Sequence, residues 1–294
     1  MISPVKISPL FKGTGSSGPV SVLQPWYDSL SVKPSEGLWT DLKIMADGMN
    51  TDGDWGEIDL FPLFAALETD EQRLRPLKTT SGEDCVIEGT PNLSINGVDD
   101  PIITGNSGIN VKWNPFDDGI KFTLNSAYVS GFGRTKISNI AFAPLLGAFQ
   151  EFSLVRKSVQ LMIDTSATSV TMGTDSFLNG SLSFTAINKT GLLNTNKTFG
   201  IGLNRIVSNQ GYRLANTNSS VQTNNTTSFV TRDLGFYGRY YEDDITPLFF
   251  EGNSGGDHYF GRAMIAGSGL INHNRVANRL NTFFLARGLP IDNY

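Results

Sequence analysis

The residues best suited to chemistry lie in one stretch near the end of the sequence, FYGRYYEDDITPLFFEGNSGGDHYF at positions 236–260. Tyrosine offers a flat apolar ring and a hydroxyl group, which suits stacking on sugars and contacts with other proteins. Strand alternation requires about half of these aromatic residues to lie in a core, and we interpret residues 240–257 as a binding loop. The candidate ligand-binding residues are Tyr237, Tyr240, Tyr241, Asp243, Asp244, Asp257, His258 and Tyr259.

One segment of this stretch has the spacing of a catalytic serine. Residues 252–256, GNSGG, fit the G-x-S-x-G pattern, but both histidines, His258 and His273, follow Ser254. Chymotrypsin-like enzymes have the histidine first, and α/β-hydrolases need a strand–turn–helix elbow around the serine. The segment lies instead in a predicted polar loop, so we interpret it as a glycine-rich loop.

Two further sequence patterns, one of a cofactor-binding site and one of a catalytic site, lack the surroundings that each site requires. GTGSSG at residues 13–18 fits a dinucleotide-binding pattern, but proline-rich coil precedes it and Pro19 follows it. Glu57 and Asp59 resemble the carboxylates of retaining glucanases, but the third carboxylate is missing. The segment is also predicted to be helical, where positions i and i+2 do not share a face. We expect no enzymatic activity and no catalytic residues.

Metal and cofactor sites have little support in the sequence. Cys85 is the only cysteine, and there are two histidines, so neither a thiolate zinc site nor an intramolecular disulfide can form. Loop carboxylates such as Asp117 and Asp118 could bind calcium together with backbone carbonyls, although acids in surface turns are the simpler interpretation. We expect no metal and no cofactor, with calcium as the one ion worth testing.

Composition excludes several classes of partner. The 294 residues carry a formal net charge of −5, and only 17% of them are charged, which argues against general electrostatic binding of nucleic acid. The sequence contains no run of 18 apolar residues, so we expect no membrane insertion. The first residues lack the apolar stretch of a secretion signal.

The first 70 residues are predicted to form an arm and a helical leader. Residues 1–20 combine three prolines with a Gly/Ser tether, and they read either as a docking peptide or as a disordered terminus. In residues 21–70 we predict a helical hairpin: one helix capped by Ser35, and a second from about Asp54 that is kinked or ends early at Pro62. The candidate attachment residues of the arm are Ile2, Val5, Ile7, Leu10 and Phe11. The apolar side of the first helix consists of Leu38, Leu42, Met45 and Met49, and that of the second of Trp55, Ile58, Phe61 and Leu67.

Residues 71–294 are predicted to form a β-sandwich that is closed by a helix. Short segments with a period of two, separated by turn signals, indicate a two-sheet antiparallel sandwich. Asn272 is the predicted cap of the last helix, and Gly288 follows its end. The predicted strands are DCVIEG, LSINGV, GINVKW, IKFTLNS, SLVRKSVQLMI, SVTMGT, SLSFTAI, KTFGIGLNRI, GYRLAN, SSVQTN, RDLGFYG and YFGRAMIAG. The apolar positions of the helix are Val276, Leu280, Phe283 and Phe284.

Two stretches of the chain resemble known proteins. The segment from Pro25 to Leu67, PWYDSLSVKPSEGLWTDLKIMADGMNTDGDWGEIDLFPLFAAL, resembles a helical leader of bacteriophage virion structural proteins. The end of the chain, from KTFGIGLNRI through FGRAMIAGSGLINHNRVANRLNTFFLARGL, resembles the closing strands of these virion proteins. It also resembles the final helix of concanavalin A-like, laminin-G-like lectin domains. The resemblance covers about two-thirds of the chain. It implies a mainly β, concanavalin A-like jelly-roll sandwich and transfers no catalytic residue.

The resemblance implies a structural protein of a phage virion: a head or tail fibre, a spike or a decoration module. Such a protein is assembled in the host cytoplasm, attaches by its arm to other virion proteins, and is expected to form a homo-oligomer. The sandwich would then face outward, where it could bind a host surface glycan. Two alternatives remain open: a secreted or cell-surface lectin-like carbohydrate-binding module, and a glycan-cleaving enzyme with the same fold.

Overall fold

The protein, described here from a computed structural model, is built from three layers: a layer of helices and two β-sheets. The structure describes residues 20–100, 106–136, 143–152, 155–166, 169–172, 174–175, 187–189, 198–207, 210–215, 218–223, 230–245, 248–252 and 259–291. The predicted attachment residues Ile2, Val5, Ile7, Leu10 and Phe11 lie outside the described residues, as do Asp257 and His258.

Four α-helices are present in the described residues: α1 (Gln24–Ser29), α2 (Glu36–Thr51), α3 (Asp70–Leu74) and α4 (His273–Ala286). The Ser35 hydroxyl accepts the backbone N–H of Leu38 at the start of α2, as predicted. The Asn272 side chain caps α4 in the same way, and Gly288 follows that helix at φ +71°. These confirmed caps show that local sequence signals fix both helices. None of the described helices has the length and apolar character needed to cross a membrane.

The strands form two sheets, which confirms the predicted mainly β sandwich. Among the described strands, neighbours pair antiparallel except Ala143–Phe152 and Gly238–Asp243, which run parallel. The first sheet contains β1 (Ile58–Phe61), β2 (Lys78–Thr79), β4 (Asn92–Ser94), β5 (Gly97–Asp99), β7 (Ala127–Thr135), β13 (Thr198–Val207), β14 (Gln210–Ala215), β15 (Asn218–Thr223) and β19 (Tyr259–Gly267). The second contains β3 (Val86–Glu88), β6 (Gly108–Asn110), β8 (Ala143–Phe152), β9 (Val155–Ser166), β10 (Ser169–Met172), β11 (Thr174–Asp175), β12 (Ile187–Lys189), β16 (Gly235–Phe236), β17 (Gly238–Asp243) and β18 (Phe249–Gly252).

The first sheet lies between two separate hydrophobic cores. On β7, Val129 points into the core between the sheets, where it joins Leu146 of the second sheet. Tyr128 and Phe132 of the same strand belong to the other core, which includes Leu42 of α2 and which we call the helical core. Because successive side chains of a strand point to opposite faces, the helices cover the outer face of the first sheet. None of the described helices contributes to a core on the outer face of the second sheet.

The prediction of a second helix in the leader, from about Asp54, is wrong. A single 3₁₀ turn (Trp55–Glu57) leads directly into β1, which pairs with β19 and β2. Leu60 faces the core between the sheets and Phe61 the helical core, so both faces of this strand are apolar and alternation is lost. The helical pair before the sandwich therefore consists of α1 and α2, and part of the predicted leader is a strand of the sandwich.

Asp59 of β1 is a buried structural carboxylate. One of its oxygens accepts the backbone N–H groups of Ile120, Lys121 and Phe122 at 3.0, 2.7 and 2.8 Å. Burial raises the pKa of Asp59, and these three hydrogen bonds oppose that rise. The bonds also hold residues 120–122 as a loop, whereas the segment IKFTLNS was predicted to be a strand. Of that segment, only an isolated bridge between Thr123 and Ser126 is formed.

Candidate functional site

The predicted binding loop at residues 240–257 begins with a β-hairpin. Strands β17 and β18 pair in antiparallel register, with Tyr240 opposite Phe250 and Tyr241 opposite Phe249. Strand β17 also runs parallel to β8, so that Tyr241 lies beside Phe149. Since side chains alternate along a strand, this hairpin carries two different surfaces, one with Tyr241 and one with Tyr240.

Tyr237 and Tyr259 must be removed from the candidate ligand-binding residues because both are fully buried. Their rings pack 4.8 Å apart between the sheets. The Tyr259 hydroxyl donates to the carbonyl of Pro144 at 2.6 Å, and the Tyr237 hydroxyl accepts the N–H of Asp100 at 3.2 Å. Tyr237 has φ +59°, where the chain turns from β16 into β17, so it positions the hairpin from inside the core.

The outer face of the second sheet carries a row of three aromatic rings, which we call the aromatic row: Phe149, Tyr241 and Phe249. The ring centroids of Phe149 and Tyr241 are 5.0 Å apart, and those of Tyr241 and Phe249 are 5.4 Å apart. Exposure increases outward, from 5% for Phe149 to 39% for Phe249. Phe249 lies on β18, and no described strand pairs with β18 on its far side. The row therefore ends in an accessible apolar surface.

Polar and charged groups surround the aromatic row. The Arg239 guanidinium lies 5.5 Å from the Tyr241 ring centroid and pairs with Glu251 at 2.7 Å. It also donates to the side chain of Gln160. The Tyr241 hydroxyl donates to Asp243 at 2.8 Å. An apolar ring flanked by fixed donors and acceptors is the arrangement that binds the face and the hydroxyls of a sugar.

The opposite surface of the hairpin lines a cleft of about 500 Å³, which we call the fork cleft. It lies where the second sheet divides along one edge of β8. Strand β16 pairs with β8 at Leu146 and Gly147 and with β6 on its other side, and β17 then pairs with β8 from Ala148 to Glu151. The Tyr240 hydroxyl spans the division and donates to Glu88 of β3 at 2.7 Å. Burial and the neighbouring Glu88 raise the pKa of Tyr240. The residues that line the fork cleft are Glu88, Asn110, Lys112, Asn114, Asp117, Thr231, Arg232, Asp233, Tyr240 and Leu248.

Two ion pairs lie at the fork cleft, Arg232–Glu242 and Lys112–Asp233. Arg232 binds Glu242 through two hydrogen bonds of 2.9 and 3.0 Å, which lowers the pKa of Glu242. Lys112 has φ +51°, and its ammonium group lies 4.0 Å from the Asp233 carboxylate. Lys112 and Asp233 each expose about a third of their side chain, so both remain in reach of a ligand.

The structure thus divides five of the eight candidate ligand-binding residues among three places. Tyr241 and Asp243 belong to the outer surface, Tyr240 to the fork cleft, and Tyr237 and Tyr259 to the core. Asp244 is exposed just after β17. The outer surface also contains Phe149, Arg239, Gln160 and Glu251, and the fork cleft also contains Glu88, Lys112, Arg232 and Asp233, none of which the sequence pattern singles out. Arg239 and Tyr241 are two residues apart on one strand, and Phe249 and Glu251 are two residues apart on the next. This spacing could have indicated that all four side chains share one face.

The described residues contain no group of three or more histidine, cysteine, aspartate or glutamate side chains positioned to hold a metal ion. Asp117 and Asp118, considered above for calcium, instead bind the turn that contains them. Asp118 accepts the N–H of Asn114 at 2.7 Å, and Asp117 accepts the Asn114 side-chain amide at 3.0 Å.

No protein-family model matches the sequence, and no curated protein matches it significantly. Among solved structures, the fold is similar to Trypanosoma rangeli sialidase in complex with 2,3-difluorosialic acid, with 12% identity over 84% of this chain and a TM-score of 0.48. It is also similar to the botulinum neurotoxin serotype D binding domain, with 10% identity over 79% of this chain and a TM-score of 0.47. The Ruminococcus gnavus IT-sialidase CBM40 matches 67% of this chain at 12% identity and a TM-score of 0.36.

These matches differ in how much of each solved chain they cover. The present chain spans 38% of the sialidase, 52% of the toxin domain and 97% of the CBM40. At such identities no activity or ligand is transferred to this chain, and the sandwich assignment follows from its own two sheets.

Proposed function

We propose that this protein is a surface component of a bacteriophage virion that binds host glycans through its β-sandwich. The observation that carries the glycan-binding part is the aromatic row on the outer face of the second sheet. Its outermost ring, Phe249, is 39% exposed, and Arg239, Glu251, Gln160 and Asp243 provide charged and polar groups beside it. Many copies on one particle would turn weak single contacts into firm attachment.

The layer order supports a two-sided arrangement of this kind. The described chain begins at Val20, next to α1 and α2 in the helical layer, and that layer covers the first sheet. The aromatic row lies on the outer face of the second sheet. An attachment segment before Val20 would therefore hold the particle at one side of the sandwich and leave the glycan-binding face on the other. The virion assignment itself depends on the resemblance of the leader and of the closing strands to bacteriophage virion proteins.

Glycan binding is tested with purified protein on an array of bacterial surface polysaccharides, followed by calorimetry on any glycan that binds. Phe249→Ala and Tyr241→Ala should weaken binding about tenfold, because each removes a ring contact of roughly 1–2 kcal/mol. Leu285→Ala is the matched control, since it removes a 59% exposed apolar side chain from the helical layer. An equal loss of affinity in the two aromatic-row variants and in Leu285→Ala would contradict the proposal. Release of reducing ends would instead favour the glycan-cleaving alternative.

The virion assignment is tested separately by particle incorporation. A chain that begins at Val20 keeps Leu23, which is fully buried in the helical core, and should fold with an unchanged melting curve. We expect this shortened chain to be excluded from particles when it is supplied in trans, whereas the full chain is incorporated and detected by mass spectrometry. Normal incorporation of the shortened chain would refute the attachment role of Ile2, Val5, Ile7, Leu10 and Phe11.

A further inference from the structure

We propose that the fork cleft is a second ligand site, which selects sugars carrying a free amine over N-acetylated and acidic sugars. The inference rests on the proposed glycan binding and names the sugar class that this second surface of the hairpin would take. It is carried by the shape of the fork cleft and by the balance of charge on its walls.

The shape fits a sugar residue. A volume of about 500 Å³ lies within the usual range of small-ligand sites. The walls come from two different branches of the second sheet: Tyr240 and Leu248 from the hairpin side, and Glu88 and Asn110 from β3 and β6. The Tyr240–Glu88 hydrogen bond ties the two branches together, so the fork cleft is formed before any ligand arrives.

The charge is unbalanced in favour of a cation. Four carboxylates (Glu88, Asp117, Asp233 and Glu242) accompany two cations (Lys112 and Arg232), which leaves an excess of two negative charges. Arg232 is neutralised by Glu242. Lys112 faces Asp233 at 4.0 Å, the outer limit of an ion pair.

The excess negative charge belongs to Glu88 and Asp117. In the described part of the chain, their hydrogen bonds come from neutral groups, the Tyr240 hydroxyl and the Asn114 amide. Because the pKa of Tyr240 is raised, this phenol stays neutral near pH 7 and adds no charge. An ammonium group placed beside Glu88 or Asp117 would make the charge-assisted hydrogen bond that these carboxylates lack.

Hydroxyl-binding groups accompany these carboxylates. Asn110, Asn114 and Thr231 present amide and hydroxyl groups on the same walls, and they can serve the hydroxyls of a sugar ring. An acetyl group on the sugar nitrogen would remove the positive charge, and a sugar carboxylate would meet the excess negative charge. The mixture of groups therefore favours an amino sugar over the other common sugar classes.

The experiment compares two tetrasaccharides by calorimetry at low salt: β-1,4-linked glucosamine with free amines, and the same chain fully N-acetylated. We expect the free-amine tetramer to bind at least tenfold more tightly. Glu88→Gln and Asp117→Asn should each weaken its binding about tenfold and leave the N-acetylated tetramer within twofold. Glu36→Gln is the matched control, because it removes the same charge from an exposed position in α2.

Any of three outcomes would overturn the inference. The first is equal affinity for both tetramers, and the second is an equal loss of affinity in Glu88→Gln and Glu36→Gln, which would indicate attraction by net charge alone. Sialyllactose is the acidic probe, and binding as tight as that of the free-amine tetramer would also refute the selectivity. Melting curves of each variant confirm that it is folded.

Failure of the proposed function gives a different result. A glycan whose binding is lost in Tyr241→Ala, without preference for amines, would leave the aromatic row standing and remove only the fork-cleft inference. If no glycan binds, glucosamine monomer is titrated while the amide resonances of Asn110 and Asn114 are followed by NMR. Saturable shifts would support the fork cleft alone, and unchanged resonances would overturn both proposals.

Discussion

His273 should make the stability of the fold fall as the pH drops from 7 to 5. This histidine is the first residue of α4 and is 4% exposed. Its Nδ1 atom lies 2.8 Å from the Tyr128 hydroxyl, and its ring stacks on Phe132 at 5.8 Å. Burial lowers the pKa of His273 to about 4, and a hydrogen bond with the backbone of Gly200 offsets this only in part.

The sign follows from the two states of the chain. In the unfolded chain, His273 titrates near 6.5, so between about pH 6.5 and 4 only the unfolded state takes up the proton. Stability is therefore complete above pH 6.5 and is lost as the pH falls toward 4. Over the whole window the loss is about 3 kcal/mol, of which about 2 kcal/mol falls between pH 7 and pH 5.

Two carboxylates, Glu71 and Asp59, also have a shifted pKa. The Ser31 hydroxyl and the backbone N–H groups of Ser31 and Val32 lower the pKa of Glu71 to about 2, so the stability gained from Glu71 is lost only below about pH 4.5. Burial raises the pKa of Asp59, which acts on stability in the opposite direction as the pH falls. Comparing the wild type with a His273 variant cancels this contribution.

Urea unfolding followed by tryptophan fluorescence at pH 7 and pH 5 measures the effect. Between pH 7 and pH 5, the free energy of unfolding of the wild-type protein should fall by about 2 kcal/mol more than that of His273→Gln. His258→Gln is the matched control, because it removes the only other histidine of the sequence and should keep the wild-type slope. Equal pH slopes for the wild type and His273→Gln would refute the assignment of the pH dependence to this buried ring.

Three further substitutions or truncations test the packing of the layers. Cys85→Ala should lower the free energy of unfolding by about 1 kcal/mol and the melting temperature by only a few degrees, since Cys85 is a small buried core residue with a raised thiol pKa. A disulfide-linked dimer on non-reducing gels would contradict this prediction. Asp54→Ala should lower the free energy of unfolding, measured in urea, by about 2–4 kcal/mol. The Asp54 carboxylate is 1% exposed and accepts hydrogen bonds from the Asn272 N–H and the Arg275 guanidinium at 2.9–3.0 Å. Deleting residues 270–294 removes Phe283 and Phe284 from the helical core and should leave insoluble protein; a soluble, cooperatively unfolding product would show that the sandwich is stable without α4.

The sequence alone determined the elements whose signals are local. In α2 and α4, the apolar period and the caps Ser35, Asn272 and Gly288 lie within the helix or next to it. Side-chain capping and helical spacing act over three or four residues, so one sequence is enough to read them. The period-two segments indicated the mainly β class for the same reason, because alternation is a property of each strand by itself.

The strands that are buried on both faces could not be read in this way. The sequence pattern predicts a helix where strand β1 lies, and it does not indicate the central strands β7 and β8. Nearly every residue of β7 is buried, since one face meets the second sheet and the other meets the helices. A strand without a polar face has no alternation, and only its pairing with distant strands distinguishes it from other apolar segments.

The candidate surfaces depended on tertiary structure even more. The sequence singled out Tyr240 and Tyr241, but their partners come from far away in the chain: Glu88 is 152 residues from Tyr240, and Phe149 lies on a different strand from Tyr241. Tyr237 and Tyr259 have the same residue type in the same stretch, yet both lie in the core. Side-chain alternation gives each tyrosine one of two faces. Which face is covered is decided by the packing of the two sheets and the helices, and by the division of the second sheet at β16 and β17.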